Sequence, residues 1–213
     1  MKNLKFALLT ILHLLLFTSL LAQDINDIFI RDTPITWVGI DFSGALFIGD
    51  REKFGSEDDI KKLIESWNTL MENEYEKFNI GETFDKIKVE KAIEITKAHN
   101  ADLILTEMIS DDMKDHSHLS PENVQQILYS YNFGDHTGIG LMIVVESFDK
   151  LNLQGSMYFT FFDLSTREII LSEKMDGKPG GFGLRNFWAG AIYSNLKSIQ
   201  KKEFEMWRRK YQR

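Results

Sequence analysis

Apolar residues recur along this chain with three different periods. Residues 6–21, FALLTILHLLLFTSLL, form a nearly unbroken apolar run behind Lys2 and Lys5 and ahead of Ala22. From Ser56 the period becomes helical. Ile60, Leu63, Ile64, Trp67, Leu70, Met71, Tyr75 and Phe78 recur in steps of three and four, which predicts one long amphipathic helix. Ser56 with Asp59 three residues on has the form of a capping box at its start. Residues 88–100, KVEKAIEITKAHN, predict a shorter helix ending near Asn100, with ADLILTEM following directly as a strand. Ser120 and Pro121 open another helix that turns Val124, Ile127 and Leu128 inward. Residues 186 to about 209 repeat the helical stripe through Trp188, Ile192, Leu196, Phe204 and Trp207.

Strand-like stretches fill the rest. TWVGIDF (36–42) is β-branched and aromatic, as a buried strand is. GIGLMIVVESF, LQGSMYFTFFDL and REIILSEKM are three apolar runs joined by short turn-like connections, which predicts an antiparallel meander. GETFDKI (81–87) has the length of an added edge strand. The predicted order is β-α-(β)-α-β-α-β-β-β-α. The fold expected is α+β, a single mixed, mostly antiparallel sheet packed by about four helices.

The first apolar run changes the picture of where the chain works. A basic start, an apolar stretch and a small residue before polar QDIND are the layout of a secretory signal peptide, cleaved after Ala22. Two readings stand, a cleaved signal and a retained anchor. The expected organisation is a signal peptide at 1–22 and one α+β domain at 23–213. After cleavage no segment has membrane-spanning length. The chain has no Cys, which excludes disulfides, thiolate metal sites, cysteine nucleophiles and a lipid anchor on cysteine. The expected location is therefore periplasmic or extracellular, and not that of a lipoprotein.

Charge narrows the partners. The formal net charge is −7, and losing Lys2 and Lys5 leaves 23 basic against 32 acidic residues, a net −9. An acidic protein repels phosphate backbones, so nucleic acid is not an expected partner.

Three stretches offer chemistry. GKPGGFGLRN (177–186) places Gly180, Gly181, Gly183, Arg185 and Asn186 ahead of a helical pattern. One reading is an anion cradle of backbone N–H groups with a guanidinium fork. The other is a strand-to-helix turn that needs positive φ, with Phe182 packed beneath it and Asn186 as the helix N-cap. The stretch is neither a Walker loop nor a dinucleotide fingerprint. SDDMKDHSHLS (110–120) and FGDHTG (133–138) bring Asp112, His116, His118 and His136 as weak metal candidates, at spacings that fit no standard motif. Asp41 sits at the end of a buried strand without a sequence-adjacent partner, which favours a turn role shared with Ser43 over a catalytic base. No catalytic constellation and no cofactor follow from these residues.

The signal ending in AQ, the WVGIDFSG strand and the GKPGGFGLRNFW block resemble exported proteins of Bacteroidetes type, a resemblance that implies no activity. In element order, residues 35–210 are also similar to envelope domains of the TolB N-terminal, CsgG and LpoB kind. Their opening strand reads roughly V-A-V-x-D-F, and WVGIDF (37–42) is similar. That likeness implies an envelope setting, and it carries over no functional residue. The function expected is non-enzymatic, through protein–protein contacts with an envelope partner. The alternative is a small-molecule or anion-binding protein that uses loop 177–186.

Overall fold

A computed structural model describes residues 23–212 of the protein. The signal-peptide reading falls on residues 1–22 and lies outside the described residues.

Asp24 caps a one-turn helix, α1 (Ile25–Ile28), through a reciprocal capping box. The β-branched run then forms β1 (Ile35–Asp41), buried along its whole length. A turn leads to β2 (Leu46–Ile48). The long amphipathic pattern is helix α2 (Glu57–Asn73), capped by Ser56 and Asp59 as expected. A single turn, α3 (Ile80–Thr83), stands where an edge strand was expected. The edge strand itself is β3 (Val89–Lys91), followed by α4 (Ile93–Ala101). The helix expected from Lys88 thus starts later, at Ile93. The strand expected in ADLILTEM shrinks to β4 (Ile109–Ser110), because residues 102–108 turn instead. Helix α5 (Pro121–Ser130) begins at Ser120 and Pro121.

The second half follows the expected meander through β5 (Ile139–Asp149), β6 (Gln154–Asp163) and β7 (Ile169–Gly177). Both hairpins close by the same device. Asp149 Oδ1 accepts from Leu151 N at 2.8 Å and Asn152 N at 2.9 Å. Asp163 Oδ1 accepts from Ser165 N and Thr166 N at 2.8 and 2.9 Å. An aspartate ending a strand satisfies the first amides of the turn. Helix α6 (Leu184–Ser198) continues through a π-helical segment (Ile199–Glu203) into α7 (Phe204–Tyr211).

The sheet is mostly parallel at its centre, which overturns the mostly antiparallel α+β expectation and makes this an α/β fold. Its path is β3-β1-β5-β2-β4, with β6 and β7 added beyond β5. Among the described residues, β1 pairs β3 and β5 in parallel, and β2 pairs β4 and β5 in parallel. Among the described residues only β5–β6 and β6–β7 are antiparallel. The physical reason is connection length. A few residues join the meander strands, so they reverse. Helices lie between β2 and β3, β3 and β4, and β4 and β5, so those strands return in the same direction, while β1 and β2, joined by a short turn, run on the same way along successive stretches of β5. The parallel partners β2, β3 and β4 are too short to show a strand period in the sequence.

Both faces of the sheet are covered. Ile139, Leu141, Ile143 and Val145 of β5 face the larger core, with Trp67 of α2 and Trp188 of α6. Met142 and Val144 face the smaller one, with Val124 and Leu128 of α5. This alternation, buried on each side, marks a central strand. On the larger face the Phe148 ring stacks on Trp188, with centroids 4.7 Å apart.

Candidate functional site

The glycine-rich connection runs from the end of β7 over the side of α6. A Cβ on Gly177 would lie 2.1 Å from Ala191 O, and one on Gly190 would lie 2.1 Å from Gly180 O. Backbone therefore rides on backbone, an approach only glycine permits. Gly180 N donates to Phe187 O at 2.9 Å. Trp67 Nε1 donates to Arg185 O at 2.8 Å, which ties the first turn of α6 to α2. Between these fastenings Gly181 and Gly183 hold φ of +130° and +78°. The ring of Phe182 between them is 96% exposed.

That exposure corrects the expectation that Phe182 packs beneath the turn. Gly181 and Gly183 permit that orientation at positive φ, and the backbone packing of Gly177 and Gly180 against α6 sets it. Asn186 is not the N-cap either. Helix α6 starts at Leu184, and Gly183 occupies the cap position without a side-chain bond. Asn186 Oδ1 instead accepts from Arg185 Nε at 3.1 Å. Gly180, Gly181, Gly183, Arg185 and Asn186 are each exposed. The Gly180 amide is already engaged within the chain, and the Arg185 fork is partly so.

A second cluster lies at the carboxyl end of β1, the place where open parallel sheets carry their sites. β3 pairs with β1 only as far as Trp37. Beyond it, helix side chains take the place of a neighbouring strand. Asn68 of α2 accepts from Ile40 N at 2.8 Å and donates to Ile40 O at 2.9 Å. Asn100 of α4 donates to Ile40 O at 2.8 Å and accepts from Phe42 N at 3.1 Å. Thr96 Oγ1 donates to Val38 O. Asn100 is thus a buried partner of β1, and the C-cap of α4 is Asp102. Asp41, fully buried, accepts from Ser43 N at 3.0 Å, Ser43 Oγ at 2.6 Å and Tyr131 OH at 2.6 Å. His99 Nε2 lies 3.0 Å from Ser43 Oγ, and its ring stacks on Tyr131 at 4.1 Å.

Burial raises the Asp41 pKa above its ordinary value, against the opposing bonds from Ser43 and Tyr131. Burial, and then the charge of Asp41, raise that of Tyr131. Sequence reasoning placed Asp41 in a turn with Ser43, and that turn is present. It missed His99 and Tyr131, because the Tyr131 contact spans 90 residues and no local signal announces it. The chemistry differs from a serine hydrolase relay. There the histidine takes the serine proton and an acid orients the histidine. Here the acid takes the serine hydrogen bond directly, and among the described residues no carboxylate bonds His99. The cluster works as a hydrogen-bonded lock joining β1, α4 and the end of α5.

The Asp/His stretch is fastened to the sheet by its backbone. Ser147 Oγ donates to His116 O at 2.9 Å, and Tyr158 OH to Leu119 O at 2.7 Å. Fully buried Glu146 accepts from Leu119 N at 2.8 Å and pairs with Lys174. His118 directs Nδ1 at Asp115 O (2.7 Å) and Nε2 at Gly44 O (2.8 Å). Asp112 caps Lys114 N at 2.8 Å. His136 lines a separate depression with Ile95 and Phe133. Among the described residues no three His, Asp or Glu side chains gather as a metal site would require. No helix among them is long and apolar enough to cross a membrane.

No protein-family model and no curated protein matches this chain. A solved structure, that of lipoprotein GNA1162 from Neisseria meningitidis, is similar at 14% identity over 79% of this chain and 97% of that one, with a TM-score of 0.29. A likeness at that score carries no argument about fold or function. None of these comparisons supports the similarity to TolB, CsgG and LpoB domains expected from element order and the WVGIDF strand.

Proposed function

We propose that the protein is exported and works through protein–protein contacts in the cell envelope, without an enzymatic activity of its own. Loop 177–186 is its contact surface. One observation carries the reading: Phe182 is 96% exposed at the apex of a loop bonded at both ends. An aromatic ring held in water forgoes about 2 kcal/mol of burial, and burial against a partner recovers it. The signal-like start of the chain supports export. The Asp41 cluster is internally satisfied and the Asp/His stretch is pinned by its backbone, so neither competes as a centre of chemistry.

The test is site-specific crosslinking in the native host. A photoreactive phenylalanine analogue at position 182 is expected to capture a defined envelope protein. Arg185→Ala, at the edge of the same surface, is expected to reduce capture without lowering the melting temperature. If position 182 yields no adduct while phosphate or a carboxylate raises the melting temperature in an Arg185-dependent way, the loop binds anions and the contact reading falls.

A further inference from the structure

Residues 177–202 contain five basic residues and not one acidic residue, whereas the rest of the chain after residue 22 has 18 basic against 32 acidic. The glycine-rich loop opens this stretch. Lys178 and Arg185 stand exposed on either side of Phe182. Cations of the C-terminal helical segments are answered within the chain. Lys202 pairs with Glu203 at 3.0 Å, Arg209 with Glu205 at 3.1 Å and Lys210 with Glu173 at 2.8 Å. Among the described residues no carboxylate pairs with Lys178 or Arg185, and α6 has no acidic residue in its first turn. The nearest acid along the chain, Asp176, accepts from the buried Ser156 Oγ at 2.5 Å, which holds it to the sheet. Asp59 of α2, which shares a depression with Leu184, is held by Ser56 at 2.7 Å.

The chain spans at most ~14 Å from Lys178 to Phe182 and at most ~11 Å from Phe182 to Arg185. The loop is therefore an apolar centre with an unanswered cation on each side, on a chain that is otherwise acidic. Its complement is a cavity for the ring with carboxylates around the mouth. A guanidinium fork matches a carboxylate in two bonds, and a basic surface in that place is rejected by like charge. An anionic bilayer shares the charge but offers no cavity. One ring and two cations hold a lipid surface only at about millimolar lipid. In a protein pocket water is excluded, and the same groups act at a lower dielectric.

We infer that loop 177–186 seats Phe182 in an apolar pocket of an acidic envelope protein, with Lys178 and Arg185 paired to carboxylates at the pocket's rim. This rests on the reading of the loop as a protein contact and adds the chemistry of the partner. The cations steer the encounter and fix its orientation, and the ring supplies the buried area.

The probe is the full chain with the photoreactive phenylalanine analogue at position 182, irradiated in envelope extract of the native host. The adduct yield is read from about 0.05 to 0.5 M salt, a range over which exposed charges become screened. The yield is expected to fall roughly tenfold or more over that range, and by as much at low salt when Lys178→Glu and Arg185→Glu are combined. Circular dichroism melts verify that the variants fold, and Lys178→Glu alone carries the decision if Arg185→Glu disturbs α6. Mass spectrometry of the adduct is expected to place the crosslink beside Asp or Glu of the partner, and changing those residues to Lys is expected to restore capture of the charge-reversed loop. An adduct unchanged by salt and by charge reversal overturns the acidic rim and leaves the contact function standing, as does a crosslink on a basic surface. If position 182 yields no protein adduct while vesicles of phosphatidylglycerol retain the chain in a Phe182-dependent way, the loop is a lipid anchor. The acidic partner and the contact reading then fall together.

Discussion

The end of β1 and the loop after β7 invert what their residues suggest. Asp41, Ser43, His99 and Tyr131 are the residue types of an active site. In the folded chain they bond one another, with Asp41 fully buried and Tyr131 only 2% exposed. Phe182 is the residue type of a core, and it is 96% exposed. The difference lies in what each backbone needs. Past Trp37 the edge of β1 has no strand beside it, and buried amides without partners cost about 1–3 kcal/mol each. Polar side chains are recruited there for structure. The β7–α6 loop needs no such help, because glycines let its backbone cross α6 directly. Its aromatic side chain, Phe182, is left exposed. Polar character thus marks the scaffold at the end of β1, and an apolar ring stands exposed at the β7–α6 loop.

The sharpest way to break that comparison is at Asn68, whose amide spans both backbone groups of Ile40. Asn68→Ala strands the Ile40 amide in a buried site and leaves a void. It is expected to cost about 3 kcal/mol, read as a lower denaturant midpoint. A loss below about 0.5 kcal/mol would mean that water replaces the side chain, and that this end of β1 is an accessible site after all.

Asp41→Ala comes next in size. It removes the acceptor of three hydrogen bonds, two of them from hydroxyls, and is expected to cost about 2 kcal/mol under acid conditions. The sign of its pH dependence follows from burial. The folded pKa is raised above the ordinary value of 3.8, so between those two values the folded state holds the proton more tightly than the unfolded chain. Stability from this group is therefore greatest below 3.8 and falls as pH rises through the folded pKa. The gap between wild type and Asp41→Ala is expected to narrow from acid to neutral pH. A gap that widens instead would show a carboxylate stabilised as the anion, the condition of a working base.

Local signals in the sequence carried the elements whose cause is local. Ser56 with Asp59, Ser120 with Pro121, and the long runs of β5, β6 and β7 announce themselves within a few residues. The parallel sheet did not, because β2 and β3 are three residues long and β4 is two. Their pairing is decided by crossovers and by β5, not by their own pattern. Asn100 has the sequence position of a helix cap, and its role as a partner of β1 depends on residues 58 and 60 positions away. The glycine-rich loop was legible as a turn needing positive φ. The direction of Phe182 was not, since Gly181 and Gly183 allow a ring to face either way. Only the packing of Gly177 and Gly180 against α6 settles it.

Phe182→Ser carries the smallest expected effect on folding and tests the comparison most directly. A side chain that gains no burial on folding loses none when removed, so the change in stability is expected within about 0.5 kcal/mol of zero. A loss of more than about 1 kcal/mol would place the ring beneath the turn, where the sequence pattern first put it. The loop would then be a piece of core, and Phe182 would differ from Asp41 in chemistry but not in role.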